Sequence, residues 1–173
     1  MTVRLLFPDE GVMFGRNIPA PVDALLQQAA RAYDDSARAE ALLWQARRMN
    51  PAQLEVYVAL YKFYFYKRRL EEAEAVARDA LDTAAGQGGF DPDWKSLARG
   101  AADWQRPDGP ERVYLYTLKA LGFIRLRRMD FTGGEAILDK LAELDPDDQV
   151  GGSVLRELAS GLREVVDSVA SHP

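Results

Sequence analysis

From Ala20 onward, apolar residues recur at three- and four-residue steps, the spacing that lines one face of an α-helix, in blocks separated by turn residues. The pattern predicts helices over about 21–33, 36–48, 51–68, 70–85, 111–128 and 133–144, and a last amphipathic helix ending near 169. Turn chemistry supports the joints. Asp35 and Ser36 offer caps for the second helix, and Asn50 before Pro51 places a capping side chain ahead of a proline at the first helical position. Thr132-Gly133-Gly134-Glu135 has the form of a capping box. Residues 1–19 hold Pro8, Gly11, Gly15 and Pro19 with no lasting period, so they read as an extended strap that packs through Leu5, Phe7, Met13, Phe14 and Ile18.

A longer period overlies the short one. Leu26 and Leu60, Ala39 and Ala73, and Ala46 and Ala80 each stand 34 residues apart, a spacing that signals stacked copies of one helical hairpin. The expected fold is all-α, with three hairpins at about 20–51, 52–85 and 112–146 in a single domain spanning 20–173. The period breaks at an insertion over 86–111, rich in Gly and Pro at both ends; within it Trp94, Leu97, Ala98, Ala101 and Trp104 suggest a short helix capped by Asp91 and laid against the hairpins. A helix over 147–169 is expected to cap the open end of the stack, as terminal repeats require.

The chemistry available to the chain is narrow. Its 173 residues carry a net charge of −5, so no global cationic field favours nucleic acid. No leader and no apolar run of about 18 residues is legible, which predicts a cytoplasmic protein that does not enter a membrane. Cysteine is absent, and His172 stands next to the end. Thiolate chemistry and His-centred triads or metal sites are thereby excluded, and the expectation is a non-enzyme without metal or cofactor. Glu71-Glu72 and Asp147-Asp148 read as solvated acids at helix starts, and Gly86-Gln87-Gly88-Gly89 lacks the lysine of a phosphate loop.

The hairpins resemble the tetratricopeptide repeat. Leu118-x2-Leu121-Gly122 and Tyr57-x2-Leu60-Tyr61-x2-Tyr64 follow the first-helix pattern; Ala39-x3-Leu43, Ala73-x3-Ala77 and Gly134-x3-Leu138 follow the second, with Pro51 and Pro146 at the terminal proline position. The resemblance implies a TPR-like superhelix whose first helices line a concave groove. Its groove positions fall on Val58, Lys62, Phe65 and Tyr66 in the second hairpin, and on Tyr116, Lys119, Phe123, Leu126 and Arg127 in the third. That mixed aromatic and cationic lining suits a protein or peptide segment bearing carboxylates and apolar anchors. The carboxylate clamp of chaperone-binding repeats is missing, because its sites hold Ala24, Gln28, Ala59, Tyr116 and Ala120.

The aromatic run over 57–66 also reads as mostly core, and Lys67-Arg68-Arg69 and Arg125-x-Arg127-Arg128 can simply complement helix dipoles. An adaptor is the first functional expectation. A second has the aromatic surface and the insertion form a homodimer interface. The stretches 59–67, Tyr116-Thr117-Leu118-Lys119-Ala120 and 144–151 also resemble short repeat proteins encoded among bacterial nitrogen-fixation genes, which implies a partner in nitrogenase assembly or regulation.

Overall fold

The computed structural model describes residues 17–171, so most of the strap expected over 1–19 lies outside the described residues, as does His172. Within them every regular element is helical. The helices are α1 (Ala20–Arg31), α2 (Ser36–Met49), α3 (Leu54–Tyr66), α4 (Leu70–Gly88), α5 (Gly109–Arg127), α6 (Phe131–Leu144) and α7 (Gly152–Ala170). They pack in three successive pairs, α1 on α2, α3 on α4 and α5 on α6, and the second helix of each pair also meets the next helix in the chain. In addition α3 touches α5, and α5 touches α7. Position α5 is central: every residue from Glu111 to Gly122 is buried.

Small residues set how closely the third pair packs. A Cβ added at Gly122 would lie 2.9 Å from Leu138 Cδ2, and one at Gly134 would lie 2.7 Å from Leu126 Cδ2 and 3.1 Å from the Gly122 carbonyl oxygen. The backbones of α5 and α6 are therefore in near contact, and larger side chains on either side fill the remaining space. In the second pair Ala73 is fully buried, while Tyr61, at the position of Gly122, is buried with its hydroxyl 3.4 Å from Thr117 Oγ1 on α5.

The turns correct the expected boundaries. Pro51 does not open α3. Asn50 ends α2, residues 50–53 form a turn in which the Gln53 N–H donates to the Asn50 carbonyl, and α3 starts at Leu54. Tyr57 donates from its hydroxyl to the Pro51 carbonyl at 2.7 Å, so the proline holds the turn. At α6 the cap is Asp130, which accepts from the Gly133 N–H at 2.9 Å; Thr132 already lies inside the helix. The last helix begins later than 147 because Asp145, itself buried, accepts from the N–H groups of Gln149 and Val150, and Asp148 then accepts from Ser153.

The insertion holds two 3-10 turns, Trp94–Ser96 and Arg99–Ala101, in place of the expected short helix. Leu97 and Ala98 between them are extended, which breaks the helical period, and the cap is Asp93 rather than Asp91. Its apolar residues still dock: Phe90 and Trp104 pack around Tyr114 with ring centroids 5.0 Å and 5.9 Å away. Lys140 and Arg99 bond the insertion to α6 through the carbonyls of Leu97 and Glu143.

Both α3 and α5 end in the same left-handed motif. Arg68 has φ 61° and Met129 φ 65°, and the following N–H, from Arg69 or Asp130, donates to the carbonyl five residues back. A side chain in that conformation costs about 1 kcal/mol relative to glycine. Met129 is exposed, so Met129→Gly is expected to raise stability by about 0.5–1 kcal/mol in urea titration, despite the greater freedom glycine gives the unfolded chain. A lower midpoint than wild type would refute this.

Candidate partner-binding face

The cationic clusters that end α3 and α5 are largely committed to holding the pairs together. Three glutamates at equivalent positions of the second helices, Glu40, Glu74 and Glu135, each receive hydrogen bonds from the next element. Glu40 accepts from the Tyr64 hydroxyl at 2.7 Å and from Arg69 at 2.6 Å. Glu74 is 6% exposed and takes Arg125 at 2.6 Å together with Arg128, while Arg78 from its own helix adds a contact at 3.0 Å. Glu135 pairs with Arg163 of α7. Burial pushes the Glu74 carboxyl up, but Arg78, Arg128 and Arg125 outweigh it and hold the group below the ordinary carboxylate range. The Arg69 hydrogen bond likewise outweighs burial at Glu40 and lowers it. Lys67 donates to the Tyr33 carbonyl at 2.8 Å and sits 3.9 Å from the centre of the Tyr33 ring, fastening α3 to the first pair.

The residues expected to line a groove fall on the adjoining faces of α3 and α5. Tyr116 lies between two lysines, with Lys62 Nζ 5.3 Å and Lys119 Nζ 4.9 Å from its ring centre. Lys119 also donates to the Val150 carbonyl. Both lysines are buried, 2% and 7% exposed, as are Val58, Tyr116 and Leu126. Buried ammonium groups need compensation by ring faces and carbonyls, so this cluster has a structural role. Toward the C-terminal ends the face opens. Phe65 and Phe123 pack across α3 and α5 at 5.1 Å, Tyr66 stands edge-on to Phe65 at 5.6 Å, and all three rings are half-buried. Arg127 is exposed. The accessible part of the face is thus an aromatic step beside an arginine, backed by the Lys62, Tyr116 and Lys119 cluster.

Sequence reasoning missed the glutamate ladder. Its signal was present in Glu40 and Glu74, which share the 34-residue spacing. A cleft of about 480 Å³ also opens between α4, the insertion, α5 and α6, lined by Arg78, Asp82, Asp93, Trp94, Lys95 and Arg125, among others. Among the described residues no group of three or more His, Asp or Glu side chains could hold a metal ion, and no helix is long and apolar enough to cross a membrane.

No family model matches the chain. It is 33% identical over 141 residues to an uncharacterized 19.8 kDa protein in the nifW 5' region of Azotobacter chroococcum mcd 1, an alignment covering 80% of this chain and 78% of that protein. At that identity and coverage, the chain belongs to the same family as the nifW 5'-region protein.

Proposed function

We propose that this chain is a non-enzymatic interaction module whose hairpins stack in the manner of tetratricopeptide repeats and whose α3 and α5 face holds a partner segment bearing carboxylates and apolar side chains. The contacts of α3 with α5, and of each second helix with the following first helix, support that stacking. The observation that carries the functional reading is the juxtaposition, on two neighbouring first helices, of the half-buried Phe65 and Phe123 step with the exposed Arg127. Aromatic faces accept apolar groups, and the exposed Arg127 holds acids. The relative's place in the nifW 5' region directs the search for the partner to nitrogenase assembly or regulation.

The test is affinity purification from nitrogen-fixing cells with wild type and with Phe123→Ser/Arg127→Glu, whose changes lie on the accessible part of the face. A nitrogen-fixation protein recovered with wild type is expected to fall about tenfold or more with the double variant, at unchanged helical circular dichroism. Equal recovery defeats the assignment.

A further inference from the structure

The last helix leaves an apolar stripe in water. Val154, Leu158, Leu162, Val165, Val166 and Val169 are 67%, 44%, 37%, 61%, 43% and 72% exposed. At 100° per residue they occupy one arc of α7, about 120° wide and about 22 Å long. Another arc of the helix, carrying Gly152, Ala159, Arg156 and Arg163, faces α6: the first two are buried, and the arginines pair with Asp139 and Glu135. The stripe is therefore not consumed by the packing of α7 onto the described residues of its own chain.

We propose that this stripe pairs in parallel with the same stripe of a second copy, through side-chain layers built from the two α7 helices. Leu158, Leu162, Val165 and Val169 follow alternating steps of four and three, the spacing of a two-helix seam. The flanking positions Val154, Gly161, Val166 and Ser168 bear no charge, so nothing at the seam repels a like helix. Each stripe exposes on the order of 500 Å² of apolar side chain, so two together bury about 1,000 Å², near the lower end for a specific interface before the rim is added. Gly161 fits the same reading. A Cβ there would meet nothing within 4 Å, so packing within one copy does not require glycine in mid-helix, whereas a facing helix gains close approach.

Charge selects the orientation. Glu157 and Glu164 border one edge of the stripe, and Arg156 and Arg163 lie beyond the other, half-exposed. A parallel two-fold keeps the two acidic edges apart, each across from an edge whose arginines are already paired with Asp139 and Glu135. An antiparallel pair sets acid against acid and drives the two α6 layers onto one side. An anionic lipid surface is disfavoured, because Glu157, Glu164 and Asp167 make up the polar face and both arginines are engaged. The dimer carries two α3 and α5 faces, which raises avidity for a bivalent partner.

Light scattering and sedimentation of the full chain from about 1 to 200 µM are expected to show a concentration-dependent dimer. Leu158→Glu/Val165→Glu, at exposed positions, should shift its dissociation constant upward by about tenfold or more with unchanged helicity. Because the chain contains no cysteine, Val169→Cys reports orientation: mild oxidation yields a disulfide-linked dimer only if the helices run parallel. The proposal falls if wild type stays monomeric throughout, if the glutamate variant dimerises equally, if Val169→Cys fails to cross-link, or if monomeric wild type co-sediments with phosphatidylserine vesicles.

Discussion

Gly134→Leu is expected to destabilise the protein by about 3 kcal/mol or more, the largest single-residue loss foreseen here. A Cβ at this position already meets Leu126 Cδ2 at 2.7 Å and the Gly122 carbonyl oxygen at 3.1 Å. The leucine side chain can rotate away, but the carbonyl belongs to the backbone of the buried central helix. Relief requires α6 to move off α5, which would open the Leu138 and Leu126 contacts and disturb α7, since α7 rests on α6. Gly134→Ala should fall between the extremes. Gly86→Ala is the contrasting case: Gly86 is exposed near the end of α4 with nothing within 4 Å of an added Cβ, so the change should be stabilising by about 0.5–1 kcal/mol. Urea titrations of the three variants decide the matter. If Gly134→Leu matches wild type, the close approach of the two helices is wrong.

That contact also shows how far the sequence alone can be read. Gly122 and Gly134 are legible as close-approach residues because the repeat pattern they match places small residues where two helices touch, and the 3.6-residue pattern locates all seven described helices. Boundaries are less legible. Pro51 fits the first turn of a helix by its own chemistry, but hydrogen bonds of Asn50, Gln53 and Tyr57 make it part of a turn instead. In the insertion, apolar spacing suggests a helix, yet Trp104 and Phe90 reach their common partner Tyr114 from a chain that is extended at Leu97 and Ala98. The binding face is half-legible for a related reason. Helical phase puts Lys62, Tyr116 and Lys119 on one side, whereas their depth depends on packing between pairs that no local window contains. The partners of Arg125 and Arg128 were hidden because the insertion separates them from Glu74 and interrupts the period that relates Glu74 to Glu40.

Glu74→Gln should cost about 2 kcal/mol at neutral pH, less than the 3–5 kcal/mol typical of breaking a fully buried pair. The difference lies with the partners. Glu74 is buried, but the side chains of Arg125, Arg128 and Arg78 are 26%, 35% and 56% exposed and can rehydrate when the carboxylate is lost. The same group makes stability depend on pH with a definite sign. Its carboxyl in the folded protein titrates below the ordinary value of 4.5, so the folded state holds its proton less tightly than the unfolded chain does. The stabilisation is therefore fully present above that ordinary value and disappears as pH falls through the lowered one. Glutamine cannot ionise, so the gap between wild type and variant should be widest near pH 7 and narrow below about pH 4. Glu40→Gln should follow the same course with a smaller gap, because the Glu40 side chain is 28% exposed and its Arg69 partner 39%. Urea midpoints measured at several pH values test both variants. A Glu74 gap that widens on acidification would mean that the three arginines do not stabilise the ionised carboxylate, and the ladder joining the second and third pairs would lose its electrostatic basis.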